Sequence, residues 1–258
     1  MFINNLDPVA INLFSFEIKW YSLSYIFGII LGWFYCKKKI VDNQNILKHF
    51  DDLVTYIIIG IILGGRFGYI LFYNLPYYIK NPLEIIMIWN GGMSFHGGLI
   101  GVILATHLFS KKNNIDQFLF LDLISMASPI GLFLGRIANF INSELYGKPT
   151  EILWSVKFVK VENLSRHPSQ IYEAIFECII LFLLLNFVFK KYFYKAHGII
   201  FALFLIFYSF FRFLIEFTRE PDAHLGLIFL NFSLGQILSI TFLLVGIILF
   251  YKKNENYK

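Results

Sequence analysis

Residues 118–147 read FLFLDLISMASPIGLFLGRIANFINSELYG, and this stretch decides the fold class of the chain. Its first part, 118–142, is apolar and long enough to cross the roughly 30 Å hydrocarbon core of a membrane as a helix. Near its end it carries Arg136 and Asn139, which places a guanidinium group at membrane depth. On insertion scales such a charge costs about 2.5 to 3.5 kcal/mol at the bilayer centre. The arginine therefore indicates a functional site or a buried partner.

The whole chain has the same apolar character. It has 258 residues, of which 57% are hydrophobic, and its mean hydropathy is +0.65. This composition excludes a soluble domain and leaves room for roughly seven membrane spans with short loops. The net charge of +5 does not indicate a nucleic-acid partner, because the lysines cluster beside apolar runs, as the flanks of membrane helices do.

The apolar windows predict an all-α integral membrane protein with seven transmembrane helices. They lie at about 20–36, 53–73, 95–109, 118–142, 171–189, 197–217 and 233–251. Residues 76–90 contain two prolines and an amphipathic tail, which predicts an interfacial arm or a re-entrant element. The first twenty residues lack a basic region and a cleavage site, so we expect the first span to be retained. No linker or repeat divides residues 1–258, so we expect one domain, in which 143–170 forms a small extracytoplasmic cap.

The lysines predict the orientation of the chain. One set of loops holds Lys37, Lys38, Lys39, Lys48, Lys111, Lys112, Lys190, Lys191, Lys195, Lys252, Lys253 and Lys258. The opposite set holds Lys19, Lys80 and Arg219, together with Lys148, Lys157, Lys160 and Arg166 in its longest loop. Because cytoplasmic loops are enriched in basic residues, we expect the C-terminus in the cytoplasm and the N-terminus outside.

The arginines are distributed differently from the lysines. None of the 17 lysines falls within a predicted span, whereas three of the five arginines do: Arg66, Arg136 and Arg212. In the predicted orientation all three lie in the outer parts of their spans. A guanidinium group binds phosphate or carboxylate through two parallel hydrogen bonds, so these residues predict an outward-facing site for an oxyanion such as phosphate. The alternative is that they pair with Glu144, Glu173, Glu177 or Glu216 and only hold helices together.

Other polar residues favour the same side of the membrane. His96 lies between two Gly-Gly pairs, and Ser94 is placed to cap the helix that follows. Histidine has a reference pKa near neutrality, so His96 is either a general base or a hydrogen-bonding residue at a helix start. Tyr21 is either a site residue or part of an interfacial aromatic belt. Cys36 and Cys178 have no ligand-spaced neighbours, so we expect both to be packing residues and expect no metal site.

Several ordered motifs resemble those of the bacterial prolipoprotein diacylglyceryl transferase family. Gly135 to Gly147 matches the family signature G-R-x-A-N-F-x-N-x-E-x-x-G. The resemblance extends over nearly the whole chain, through Trp20-Tyr21, the runs 64–69 and 91–99, Arg166-His167-Pro168-Ser169-Gln170, and Phe211-Arg212 through Glu216, Arg219 and Asp222. Residues 148–165 are shorter than the corresponding head region in larger members.

This resemblance implies seven spans, an outward-facing active site and a location in the bacterial inner membrane. It implies phosphatidylglycerol as the lipid donor, the lipobox cysteine of a preprolipoprotein as the acceptor, and no cofactor. His96, Arg136, Arg212 and Tyr21 would be catalytic residues, with His96 as the candidate base. The resemblance also carries over Asn139, Glu144, Glu216 and Arg219 as essential residues. We expect substrate to be bound by these residues together with Arg136, Arg66, Gly97 and Gly98.

Two other classes of function fit parts of this pattern. A transporter or flippase for an anionic lipid or solute would also use intramembrane arginines, but it requires polar residues accessible from both faces. Here the arginines within the predicted spans all lie towards the predicted outer side of the membrane. A membrane-embedded scaffold would use the arginines only to join helices.

Overall fold

A computed structural model of the protein describes residues 2–13, 16–40, 44–193, 195–221 and 232–255, so Asp222 lies outside the described residues. The helices are α1 (Trp20–Lys39), α2 (Gln44–Tyr73), α3 (Leu75–Lys80), α4 (Phe95–Asn113), α5 (Gln117–Ile141), α6 (Ser169–Glu173), α7 (Leu181–Tyr192), α8 (Ile199–Ile215) and α9 (Leu234–Glu255). A π-helical segment, Ala174–Ile180, joins α6 to α7, and two 3₁₀ turns, Pro82–Ile86 and Ile88–Asn90, precede α4. The short strands are β1 (Phe2–Asn4), β2 (Val9–Leu13), β3 (Phe16–Lys19), β4 (Val156–Phe158) and β5 (Ser165–Arg166).

Five helical segments in the described part of the chain are long and apolar enough to cross a membrane. They are Ile46–Tyr73, Gln117–Ile141, Ser169–Tyr192, Ile199–Thr218 and Leu234–Glu255, and they coincide with five of the predicted spans. The predicted spans 20–36 and 95–109 are also helical, as α1 and α4. Their tryptophan, tyrosine, serine, glycine and histidine residues lower the hydropathy of these two helices. A mostly helical protein with five candidate spans is thus confirmed, and the count of seven stays a prediction.

The chain forms two compact units. One comprises Met1–Cys36 with Asp122–Lys258, and the other comprises Lys37–Leu121. In the second unit, α2 and α4 pack closely through glycines. A Cβ atom on Gly101 would lie 2.0 Å from the carbonyl oxygen of Gly60, and one on Gly97 would lie 2.4 Å from that of Gly64. The backbones therefore approach as they do in small-xxx-small contacts between membrane helices.

In the first unit, α8 packs against α7 and α9. The beginning of α8 is fixed by Asp122, a fully buried residue of α5. Its carboxylate accepts hydrogen bonds from the backbone N–H groups of Gly198 and Phe201, each at 2.7 Å. These N–H groups have no partner within the helix, so Asp122 satisfies them and complements the positive end of the helix.

Part of the core of the first unit is apolar. Leu181 and Leu185 of α7 and Phe204 and Leu205 of α8 are buried. Both cysteines, Cys36 and Cys178, are buried and free, which confirms their prediction as packing residues.

The strands were not predicted from the sequence. β1 pairs in parallel with β4, and β4 pairs antiparallel with β5, so the N-terminal residues join the segment 143–170 in one small sheet. β2 and β3 form an antiparallel hairpin. Strands of two to five residues are too short to show a clear alternating pattern, which is why hydropathy alone misses them.

Candidate active site

Three arginines and three glutamates of the first unit form one buried network. Its members are Arg136 of α5, Glu173 at the end of α6, Glu177 of the π-helical segment, Arg212 of α8, and Glu216 and Arg219 just after α8. The side chains of Glu173 and Glu177 are 0% and 1% exposed, and those of the three arginines are between 9% and 12% exposed. Their formal charges cancel, as burial of six ionised groups requires.

Glu173 is the centre of this network because it contacts all three arginines. Its Oε2 atom lies 3.0 Å from Nη1 of Arg136. Its Oε1 atom accepts hydrogen bonds from Nη1 of Arg212 and, at 3.2 Å, from Nη1 of Arg219. One carboxylate thus fixes guanidinium groups from two helices and from the segment that follows α8.

The other two carboxylates each bind fewer arginines. Glu177 Oε2 accepts a hydrogen bond from Nη2 of Arg136 at 3.1 Å, and its Oε1 lies 3.7 Å from Arg212. Glu216 Oε2 lies 2.7 Å from Nη2 of Arg212. The pairing of arginines with Glu173, Glu177 and Glu216, which the sequence left as an alternative, is therefore present. It fixes the arginines in space and leaves open what they bind.

Among the described residues, one buried donor of this network is left unused. The Nε atom of Arg136 is buried and has no hydrogen-bond partner among the described residues. Leaving a charged donor unsatisfied costs more than the roughly 1 to 3 kcal/mol of a neutral group. Arg136 therefore has capacity for an additional acceptor.

The positions of Glu173 and Glu177 follow from an unusual helix. Residues Ala174–Ile180 are π-helical, with wider turns than the α-helices on either side. Such segments are rare and are frequent at functional sites. The sequence shows that these glutamates lie four residues apart, but the site residues predicted from it do not include them. An intramembrane carboxylate pair on one helix face is the signal that would have added them.

The signature stretch places Asn139 and Glu144 together. The Glu144 carboxylate accepts hydrogen bonds from the side-chain amides of Asn139, at 3.3 Å, and Asn142, at 3.4 Å. The chain reverses here through Ser143 and Leu145, which have φ angles of 59° and 55°. Asn139 is buried and Glu144 is exposed, so the carboxylate lies at the surface end of the site.

Two tyrosines of the first unit lie in the field of these charges. The Tyr21 hydroxyl is 3.1 Å from that of Tyr25, and Glu144 and Arg136 act on it electrostatically. Tyr208 is buried on α8, one turn before Arg212, and is under the influence of Glu177 and Arg136. Tyr208 was not predicted as a site residue. The spacing of four between Tyr208, Arg212 and Glu216 on one helix face is the signal that identifies it.

The end of the signature stretch is joined to the residues after α8. Gly147 forms an isolated β-bridge with Arg219, and its N–H donates to the carbonyl of His167 at 2.9 Å. A Cβ atom on Gly147 would lie 2.5 Å from Cβ of His167, so only glycine fits here. This contact holds Arg219 beside the segment that begins α6.

In the second unit the predicted turn before α4 is confirmed. Gly91 and Gly92 have φ angles of 81° and 77°, a region that favours glycine. Ser94 caps α4 and accepts a hydrogen bond from the N–H of Gly97 at 3.1 Å. His96 is buried in the first turn. Gly97 contacts α2, and around Gly98 a Cβ atom would find ordinary space, so the substrate-binding roles of both glycines and the catalytic role of His96 stay predictions.

Arg66 has partners unlike those of the other intramembrane arginines. Its guanidinium group donates to five backbone carbonyls, those of Glu84, Ile85, Met87, Gly91 and Gly92. Arginine has five N–H donors, so its hydrogen-bonding capacity is fully used. It also lies 5.0 Å from the ring centre of Tyr78. Arg66 therefore holds the segment 84–92 in place, and its binding of substrate stays a prediction.

In the described part of the chain, no group of three or more His, Cys, Asp and Glu side chains is arranged to hold a metal ion. The charged groups are arginines and glutamates. Fold and site together define a mostly helical membrane protein with a buried arginine–carboxylate network.

Comparisons with known proteins identify the family. The family model described as prolipoprotein diacylglyceryl transferase matches residues 8–252. Proteins named phosphatidylglycerol–prolipoprotein diacylglyceryl transferase are similar to this chain. That of Rickettsia bellii is 49% identical over 96% of the chain and 95% of its own length. That of Rickettsia typhi is 48% identical over 99% and 100%. That of Azospirillum brasilense is 46% identical over 94% and 92%. The chain belongs to the prolipoprotein diacylglyceryl transferase family.

Proposed function

We propose that this protein transfers the diacylglyceryl group of phosphatidylglycerol to the lipobox cysteine of preprolipoproteins. The observation that carries this proposal is the buried cluster of Arg136, Arg212 and Arg219 around Glu173, with the Nε donor of Arg136 free of partners among the described residues. The cluster provides fixed positive groups of the kind that bind a phosphodiester. Family membership supplies the lipid and the protein acceptor.

In this reaction the cysteine sulfur attacks the glyceryl carbon that bears the phosphate ester oxygen. A C–S bond forms, the C–O bond breaks, and glycerol phosphate leaves with the bonding electrons. The leaving phosphate gains negative charge, so Arg136 and Arg212 stabilise the transition state more than the ground state. Glu173, Glu177 and Glu216 keep these arginines in fixed positions, so little reorganisation is needed when the charge develops.

The thiol must lose its proton, because the thiolate is the nucleophile. Its reference pKa of about 8.5 requires a base or a positive field. We propose His96 as the base and Tyr21 as a further catalytic residue, with Asn139 and Glu144 of the signature stretch binding the substrate. Arg66, Gly97 and Gly98, with Glu216 and Arg219, complete the proposed set of substrate-binding residues. The reaction uses no cofactor in this proposal.

We place the enzyme in the bacterial inner membrane as one domain of residues 1–258 with seven spans. The N-terminus is extracytoplasmic and the C-terminus cytoplasmic, so the network and the cap of residues 143–170 face outward. The distribution of basic residues supports this orientation.

The test is direct transfer. Purified protein is incubated with phosphatidylglycerol vesicles and a lipobox peptide, and mass spectrometry detects the diacylglyceryl mass on the cysteine. We expect product with phosphatidylglycerol and none with a peptide in which the cysteine is replaced by serine. If folded wild-type protein gave no product, the proposal would be contradicted. Uptake of a labelled solute into the vesicles would instead favour a transporter.

A further inference from the structure

A small polar cavity adjoins the buried network at the beginning of α9. It has a volume of about 60 Å³ and is lined by Lys148, Glu216, Phe217, Arg219, Pro221, Ser233 and Gln236. At roughly 10 to 15 Å³ per water-sized group, it has space for about four to six such groups. Glycerol has six non-hydrogen atoms, so the cavity has the size of one glycerol unit.

Two residues belong to both the cavity and the network. Glu216 binds Arg212 through Oε2, at 2.7 Å, and accepts a hydrogen bond from the Ser233 hydroxyl through Oε1, at 2.8 Å. Arg219 binds Glu173 at 3.2 Å. A group in the cavity is therefore beside the arginines to which we assign the phosphate.

The cavity also holds an unused donor. Ser233 and Gln236 form a capping box at the start of α9, in which the Ser233 N–H donates to Gln236 Oε1 at 3.0 Å and the Gln236 N–H donates to the Ser233 hydroxyl at 3.2 Å. This arrangement uses the oxygen of the Gln236 amide. The amide nitrogen has no hydrogen-bond partner among the described residues, although Gln236 is only 3% exposed. Because Gln236 lines the cavity, its amide nitrogen is available to donate a hydrogen bond to a group there.

Charge determines which headgroup the cavity accepts. Among the described lining residues, Arg219 is paired with Glu173 and Glu216 with Arg212, whereas Lys148 donates to the backbone carbonyl of Phe217 and contributes an excess positive charge. A cationic headgroup such as ethanolamine is therefore disfavoured. A neutral diol both accepts from the Gln236 amide and donates to the Glu216 carboxylate.

Gly235, in the first turn of α9, lets this turn lie close to Glu216. A Cβ atom on Gly235 would lie only 2.8 Å from Glu216 Oε1.

We propose that this cavity is the subsite for the glycerol unit attached to the donor's phosphate, and that Gln236 is a specificity residue that hydrogen-bonds its hydroxyl groups. The inference rests on the proposed diacylglyceryl transfer and adds to it the recognition of the leaving group. The occupant is a glycerol phosphate group, either in the intact lipid or as the released product.

The test compares two lipid donors with identical acyl chains. Phosphatidylglycerol is compared with phosphatidyl-1-propanol, which has the same phosphodiester charge and three carbon atoms but no hydroxyl groups. For the full-length wild type we expect kcat/KM to favour phosphatidylglycerol by about tenfold, the effect of one or two hydrogen bonds. The Gln236→Glu variant keeps a side-chain oxygen that can accept the capping hydrogen bond but loses the amide N–H donor. In this variant we expect kcat/KM to be about equal for the two lipids.

A second arm separates the two sources of glycerol phosphate. Free glycerol phosphate is tested as an inhibitor of the wild type and of Gln236→Glu, with inorganic phosphate as the reference inhibitor. Weaker inhibition of the variant by glycerol phosphate alone, by about three- to tenfold, shows that the released product occupies the cavity. A change in the lipid arm alone shows that only the intact headgroup does.

Gln117→Glu is the matched control, since Gln117 also begins a helix and uses its oxygen as an acceptor, here towards His107 at 2.6 Å. It should leave both arms unchanged. If Gln236→Glu changes neither the donor preference nor inhibition by glycerol phosphate, the subsite is wrong while diacylglyceryl transfer stands. If the wild type makes no product from phosphatidylglycerol, the transfer itself is wrong.

Discussion

Glu173 illustrates how a single buried carboxylate determines the geometry of this site. It contacts Arg136, Arg212 and Arg219, which come from different parts of the chain. Removing one partner of a buried ion pair typically costs about 3 to 5 kcal/mol, because the other charge is left unpaired. The same attraction that holds the arginines together also prevents them from relaxing away from a bound phosphate. Stability and preorganisation thus depend on the same residue.

At the residue scale we predict that Arg212→Lys lowers kcat/KM by about a hundredfold or more, the effect of removing a transition-state donor. Lysine keeps the charge but lacks the planar fork with which Arg212 binds Glu173 and Glu216. Transfer to a lipobox peptide measures the effect, and thermal unfolding in detergent checks that the variant folds. Arg166→Lys is the control, because Arg166 lies outside the network. Near-normal turnover of Arg212→Lys would remove this residue from the proposed role.

At the element scale, the contact of α2 with α4 depends on glycines that the sequence analysis assigned in part to substrate. Gly60, Gly64 and Gly68 repeat every four residues along α2 and meet Gly97 and Gly101 of α4. Their spacing in the sequence is compatible with both interpretations, since glycine serves close packing and anion binding alike. The contact of their backbones supports the first.

We predict that Gly101→Ala destabilises the protein by about 1 to 3 kcal/mol, the usual cost of overpacking. The added methyl group would lie 2.0 Å from the Gly60 carbonyl oxygen, so the helices must separate. Gly98→Ala is the matched control, because its methyl group would come no closer than 3.9 Å to Ile61. Thermal unfolding in detergent measures both variants. Equal stability of the two would show that close packing at Gly101 is not required.

The turn before α4 depends on Arg66 in the same way. We predict that Arg66→Lys increases amide hydrogen exchange in residues 84–92, because lysine has three donors for the five carbonyls that Arg66 now binds. Exchange mass spectrometry measures this directly. Lys80→Arg, a change of the same kind at the end of α3, should leave the exchange of this segment as in the wild type. Unchanged exchange in Arg66→Lys would show that the carbonyls do not need the guanidinium group.

At the scale of the whole molecule, we predict opposite accessibility of the cap and the C-terminal end of α9. In intact spheroplasts, a membrane-impermeant maleimide should label Glu151→Cys, whereas Glu255→Cys should be labelled only after lysis. Both residues are exposed, and the native cysteines are buried, so the background is low. The reverse pattern would invert the orientation derived from the lysines.

The five helical segments and their approximate bounds were predictable because membrane hydropathy is a local property of about twenty consecutive residues. The cap at Ser94 and the turn at Gly91 and Gly92 were predictable for the same reason, since capping and positive φ angles depend on near neighbours. The strands β1 and β4 were not, because their pairing joins residues separated by most of the chain. Likewise, which arginines Glu177 contacts is set only in the folded state, where it lies beside Arg136 and Arg212.

The sequence by itself determined that this is a membrane protein, that its intramembrane charges are arginines, and which family its ordered motifs match. These properties follow from composition, local spacing and motif order. Only the tertiary structure decided which carboxylate each arginine binds. It joined Arg136, Arg212 and Arg219 through Glu173 and gave Arg66 a separate set of backbone partners. A buried charge must be neutralised or hydrogen-bonded by whatever the fold brings near it, and that partner is fixed by packing between helices distant in sequence.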